Sequence, residues 1–232
     1  MTSSDWLTTR EIGEVFAEEI STAGGKVIDR FDDGFRIYLR AVLRREREVR
    51  RRDRIQGGVA LRATPEEISV HPYVFRQVCS NGAIRAHALE TRQISRDDFQ
   101  GADAPRQSYA LVEAIRVCCS EAAFAESARE MRSARSSKLD AALEMMSFLA
   151  RMGHDPQMQA AGAAILDQYF DRTRAKDRSR FGFMNIVTSV ARDQRDPEVR
   201  WRLEELGGGI PVAPSEPDFE PSPVEEKVLV EA

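Results

Sequence analysis

Residues 35–44 alternate in a way that suits a β-strand with two unlike faces. Phe35, Ile37, Leu39, Ala41 and Leu43 share one parity, and Arg36, Tyr38, Arg40, Val42 and Arg44 share the other. That is the two-residue period of side chains on a pleated strand. Asp32-Asp33-Gly34 precedes the run and supplies the positive φ of a tight hairpin turn, so Val27 to Phe31 is expected to be the partner strand. After a charged turn at Arg45 to Glu48, a further strand is expected from Val49 to Ala63, with Arg50, Arg52, Arg54 and Arg62 on one side. If these strands pair, one face collects Arg36, Arg40, Arg44, Arg50, Arg52, Arg54 and Arg62 around Tyr38. Residues 36–54 hold nine arginines against Glu46, Glu48 and Asp53, a net charge of +6.

Two other readings of that charge run are open: a solvated ribbon tip, or an exposed helix over residues 44–54. Both explain less well why the arginines of the two strands keep to one parity. Of the chain's 34 basic residues 30 are arginine, which a coding bias toward arginine codons explains in part. Arginine also suits planar, bidentate contact with phosphate and stacking on bases.

The rest of the chain gives a mixed class. Thr8-Thr9 and Glu11 ahead of Ile12, Val15, Phe16 and Ile20 read as a capped amphipathic helix, ended by Gly24-Gly25. A short strand is expected at Ile68 to His71. Pro72 then suits the first turn of a short buried helix ended by Asn81-Gly82, with a continuous strand to Cys79 as the alternative. Helical periodicity marks 108–131, 137–152, 157–175, 181–192 and 197–206. The expectation is one α+β domain over residues 1–206, β-rich at 25–82 and helical at 108–206. It consists of an N-terminal helix, an antiparallel β-meander with a long arginine-faced hairpin, and a helical C-terminal half. Residues 207–232 should form a disordered, Pro-rich acidic tail, because from Ile210 onward six carboxylates face only Lys227. The tail masks a mildly basic body: the chain's net charge is −4, and the part before Ile210 carries +1.

Several function classes lack the residues they need. The first ten residues hold no basic segment followed by an apolar one, and no apolar run is long enough to span a bilayer, so a cytoplasmic protein with no membrane partner is expected. Cys79, Cys118 and Cys119 form neither a disulfide framework nor a C-x-x-C knuckle. No Walker loop, G-x-G-x-x-G, G-x-S-x-G or H-E-x-x-H is present. His71, Cys79 and His87 stand eight residues apart with no fourth ligand. Neither a metal nor a cofactor is expected, and no catalytic residue can be named.

Two stretches are familiar. Gly57 to Arg62 leads into Tyr73-Val74-Phe75-Arg76-Gln77-Val78-Cys79-Ser80-Asn81-Gly82, which resembles the phage- and plasmid-borne family catalogued as domain of unknown function 932. The family's segment ends in Arg-x-Val-Cys-x-Asn-Gly, matched by Arg76, Cys79, Asn81 and Gly82. Arg180 to Ser189 resembles the family's later segment, where an Asn precedes an apolar-apolar-Thr step, here Asn185 and Thr188. The acidic residue usual after that Thr is replaced by Ser189. The resemblance spans roughly residues 25–210 and implies a structural role for those six residues, but no settled activity. By layout alone, a helix, a basic β-meander and then helices resemble the core of phage single-strand annealing proteins.

These observations lead to one expectation: non-sequence-specific binding of single-stranded DNA, or RNA, by a homo-oligomer. Arg36, Arg40, Arg44, Arg50, Arg52, Arg54 and Arg62 would hold phosphates, and Tyr38 would stack a base. The alternative is a protein-interaction module whose arginine face meets an acidic partner. A hydrolase with an unrecognised site is a third option. The acidic tail would compete for the arginines or recruit a protein through Val228 to Val230.

Overall fold

The computed structural model describes residues 6–99, 104–139, 143–171 and 177–212. Helix α1 (Thr9–Thr22) starts at a capping box, in which the Thr8 side chain accepts from the Glu11 amide and Glu11 reaches back to the Thr8 amide. Strands β1 (Lys26–Asp32) and β2 (Ile37–Arg50) form the expected hairpin. Gly34 takes φ 84°, and the carboxylates of Asp32 and Asp33 accept the turn amides of Gly34, Phe35 and Arg36.

The next hairpin turns later than its charge pattern suggests. Strand β2 continues through Arg45 to Glu48 as far as Arg50, and β3 (Asp53–Ala63) returns after a two-residue turn at Arg51-Arg52. Two features account for the difference. A bulge between Val42 and Glu46 takes up two extra residues in β2. Arg52 then adopts φ 66°, with its amide donating to Glu48 Oε1 at 2.8 Å. Charge alone therefore did not mark the turn.

Strand β4 (Glu67–Arg76) runs straight through Pro72, so the short helix does not form; the strand ends at Arg76, three residues short of the Cys79 expected of a continuous strand, and residues 77–80 form a turn. Its outer edge pairs with β6 (Arg92–Ser95) over residues 67–70 and with β5 (Asn81–Ile84) over residues 73–76. Pro72 falls between the two partners. Its carbonyl accepts the Arg85 amide at 2.9 Å, so its missing N–H faces the gap and costs no ladder bond. The strand order is β1-β2-β3-β4-β5, all antiparallel, with β6 beside β4.

The sheet curls between helices. One face carries Ile37, Leu39, Ala41, Val59, Leu61 and Val70, against Ile12, Phe16 and Ile20 of α1 and Leu111 and Ile115 of α2 (Ala104–Cys118). The other face carries Tyr38, Ala60, Tyr73 and Ile84 beneath Trp201 of the last helix. A third cluster joins Val49, Ile55 and Val74 to the C-terminal helices. These are α3 (Glu121–Ser136), α4 (Leu143–Met152), α5 (Pro156–Phe170), α6 (Arg180–Arg192) and α7 (Pro197–Gly209). A single helix over 108–131 is expected from periodicity, but Ser120 divides it, capping α3 through the Ala123 amide. Gly207 to Gly209 do not open the tail as expected. They form the last turn of α7, where a β-carbon on Gly208 would lie 1.8 Å from the Ile84 carbonyl oxygen. Most of the expected tail, residues 213–232, lies outside the described residues.

Gly82 has a packing reason rather than the turn reason its Asn-Gly context suggests. It sits inside β5, and a β-carbon there would lie 1.8 Å from the Tyr73 hydroxyl. The left-handed residue is its neighbour but one, Ser80, at φ 51°. Tyr73 is 2% exposed and cannot swing out. Gly82→Val should therefore lower stability by about 3 kcal/mol or more, the range of severe overpacking. A denaturant midpoint equal to that of the parent protein would refute this packing.

Candidate nucleic-acid interface

The arginine series divides into three environments. Tyr38 and Arg40 form a buried layer beneath α7, and Arg62 lies at its edge with its side chain 25% exposed. Tyr38 is fully buried and Arg40 is 1% exposed. Arg40 Nε donates to Glu204 Oε2 at 2.6 Å and its Nη1 to Asp29 at 2.9 Å, with Arg200 bridging the same two carboxylates. The Tyr38 hydroxyl donates to Glu198 at 2.5 Å, and burial followed by that carboxylate pushes its pKa up to about 12. Arg62 lies 3.4 Å from Glu198. A base cannot stack on Tyr38, and a phosphate cannot reach Arg40. For Tyr38 and Arg40 the expectation of a nucleic-acid contact is corrected, while Arg62 is paired and only partly exposed. The shared parity is real, but the acidic partner it meets is a helix of the same chain.

A neutral histidine completes that layer. His71 packs on Trp201, its Nδ1 lies 3.2 Å from Thr91 Oγ1, and its Nε2 lies 3.7 Å from Glu205. Burial, then the Arg62 charge, lowers its pKa to about 4. The unfolded chain therefore takes up a proton below about pH 6.5 that the folded chain refuses, and stability falls as pH drops through that window. Glu205, raised by burial, acts in the opposite sense. Between pH 7 and 5 the parent protein should lose about 2 kcal/mol more than His71→Gln does in chemical denaturation. Equal losses would contradict the assignment.

The second environment is exposed but paired. Arg36 bonds Asp33 at 2.9 Å and Arg54 bonds Glu46 at 3.4 Å, while Arg45 and Arg47 share Glu121 of α3. Solvent-exposed pairs of this kind are weak and exchangeable.

The third environment lies along the outer part of the β2–β3 hairpin. Arg44, Arg50, Arg51 and Arg52 are exposed and have no carboxylate partner among the described residues. Arg51 has the opposite parity to Arg50 and Arg52 in sequence, and the late turn brings it to the tip beside them. Helix α3 adds Arg132, whose Nε donates to the Glu48 carbonyl at 3.1 Å, and Arg135 one turn later, both exposed. Periodicity could not find these two, because their proximity arises from helix-to-hairpin packing.

The two familiar segments meet behind this tip. Arg76 binds Asp53, the first residue of β3, through two bonds of 2.8 and 2.6 Å. Its guanidinium also lies 3.0 Å from Cys79 Sγ and 5.6 Å from the Phe181 ring centroid. Asn81 Nδ2 donates to Thr188 Oγ1 at 2.8 Å and to the Asn185 carbonyl at 3.3 Å. Asn185 Nδ2 returns to the Phe181 carbonyl. Arg76 thus anchors the start of β3, and Asn81, Asn185 and Thr188 join β5 to α6. Asp53 is 5% exposed and held by Arg76.

Other chemistry finds little support in these side chains. Burial pushes the thiol pKa of Cys118 up and that of Cys119 to about 11, leaving both protonated at neutral pH. No group of three or more His, Cys, Asp or Glu residues among the described residues could hold a metal ion. No described helix is long and apolar enough to cross a membrane. Comparison with family models, curated proteins and solved structures returns no match to this chain.

Proposed function

We propose that the protein binds single-stranded nucleic acid through its phosphates, without sequence preference, at the outer end of the β2–β3 hairpin. The observation that supports this reading is that Arg44, Arg50, Arg51 and Arg52 are exposed with no carboxylate partner among the described residues, on a hairpin whose Glu48 carbonyl accepts from the exposed Arg132 of α3. Elsewhere in the sheet, arginines such as Arg40, Arg62 and Arg76 are paired with carboxylates. Leaving several like charges together has an electrostatic cost that an anionic polymer would offset. With Tyr38 buried, a strand would be held by its phosphates while its bases stay free. A free base edge is what pairing with a second strand requires, so the reading extends to strand annealing. Copies of the chain would assemble along β1, whose outer edge has no partner strand among the described residues and whose Val27, Ile28 and Phe31 are over a third exposed. Carboxylates of residues 213–232 would compete for the same arginines.

The pairing of α7 with Arg40 and Arg62 favours a second reading, in which an acidic protein segment docks at the tip. Titrating a labelled single-stranded oligonucleotide at several salt concentrations separates the two. Four phosphate contacts give a slope of log affinity on log salt of about −3, at about −0.7 per contact. No binding at low salt would exclude the nucleic-acid reading.

A further inference from the structure

A second basic site lies away from the hairpin. The C-terminal turn of α4 and the last turns of α7 face the segment after β5 across an open cleft of about 430 Å³. That volume lies within the range of small-ligand pockets. Arg151 and Arg202 both line it. Arg151 is exposed and has no hydrogen bond or ion pair among the described residues. Arg202 makes one hydrogen bond among the described residues, from Nη2 to the Met152 carbonyl at 3.4 Å. Each guanidinium end lies beside a glycine: Arg151 Nη1 is 3.7 Å from where a β-carbon of Gly209 would sit, and Arg202 Nη2 is 4.0 Å from that of Gly153. A side chain at either glycine would come into contact with the guanidinium beside it.

One carboxylate shares the cleft. Glu205 Oε1 accepts from Trp201 Nε1 at 2.9 Å and faces His71 Nε2 at 3.7 Å, while its second oxygen has no partner among the described residues. Both guanidiniums therefore keep free N–H groups, and an acceptor stands in the same space. Ala86 and Leu206 give the cleft an apolar portion. Guanidinium pairs suit the tetrahedral oxygens of a phosphate, and a carboxylate suits a hydroxyl donor.

We propose that this cleft binds a small phosphate monoester carrying hydroxyl groups, of the size of a sugar phosphate or mononucleotide. The phosphate lies between Arg151 and Arg202, and a hydroxyl donates to Glu205. The site is independent of the hairpin reading, since its residues belong to other elements.

Ribose 5-phosphate, ribose and inorganic phosphate serve as probes, with binding to the full chain followed by calorimetry. Ribose 5-phosphate should bind, inorganic phosphate should bind about tenfold more weakly for want of the hydroxyl bond, and ribose should not bind measurably. Arg151→Gln, at an exposed position, should keep the fold and weaken ribose 5-phosphate binding about tenfold or more. Replacing Arg50, Arg51 and Arg52 should leave this binding unchanged. Failure of ribose 5-phosphate to bind, or equal binding by Arg151→Gln, would overturn the proposal. Loss of binding in the hairpin variant would do the same, because the phosphate would then be sitting on the tip. A 5′-phosphorylated oligonucleotide that competes better than its unphosphorylated form, through Arg151, would identify a strand end rather than a free metabolite as the source of the phosphate.

Discussion

Arg40→Met should destabilise the protein by about 3 kcal/mol, near the lower end of the usual cost of breaking a buried ion pair. The substitution keeps most of the side-chain volume, so the loss is electrostatic rather than a cavity effect. Glu204, itself 1% exposed, would lose its 2.6 Å bond and keep only Arg200 at 3.1 Å. That remaining partner places the cost toward the lower end. Replacing both residues, as Arg40→Met with Glu204→Leu, should recover much of the loss, since removing an entire buried pair is often neutral or stabilising. Urea denaturation of the single and double variants measures both effects. A single variant as stable as the parent would show that Arg40 is not enclosed beneath α7. The sharper contradiction would be a stable variant that loses nucleic-acid binding, because Arg40 would then be a contact residue.

The second large effect is functional. Substituting Arg50→Ser, Arg51→Ser and Arg52→Asn should weaken binding to a single strand by at least about tenfold at low salt, with little change in melting temperature. Asparagine is chosen at position 52 because φ there is 66°, a conformation that Asn tolerates better than most residues. All three side chains are exposed and none packs into the core, so folding should be nearly indifferent to them. The paired residues Arg36 and Arg54 serve as the comparison. Removing them costs only weak surface pairs, and binding should fall less.

The sequence was informative where the determinant is local. The capping box at Thr8, the Asp-Gly turn at Gly34 and the alternation from Ile37 to Leu43 each depend on neighbours within a few residues, and each forms as expected. The antiparallel meander followed by helices was legible for the same reason. What was not legible depends on partners far along the chain. The parity of Arg40 and Arg62 was visible, but not that Glu198 and Glu204, about 140 to 160 residues later, would cover them. The composition of α7 held a clue: its three glutamates flank Trp201, an aromatic that folding buries. Pro72 and Gly82 were read through turn chemistry, whereas a gap between two partner strands and the ring of Tyr73 decide their roles. The four-residue strand β6 is too short to show a period of its own.

The candidate interface shows the same division. Arg44, Arg50 and Arg52 were named from alternation and lie exposed, whereas Tyr38 from the same pattern is buried. Alternation gives a side chain's face but not what covers that face. In the later segment the Thr188 hydroxyl and the Asn185 carbonyl accept from Asn81 and tie α6 to β5, while the Asn185 side chain bonds within α6.

The central claim is that the outer hairpin arginines, and not the buried ones, meet phosphate. The measurement that tests it most directly is the salt dependence of single-strand binding by the parent protein and by the Arg50, Arg51 and Arg52 triple variant. The account predicts a slope near −3 for the parent and near −1 for the variant, a loss of about 2 from three contacts. Equal slopes in two folded proteins would contradict it.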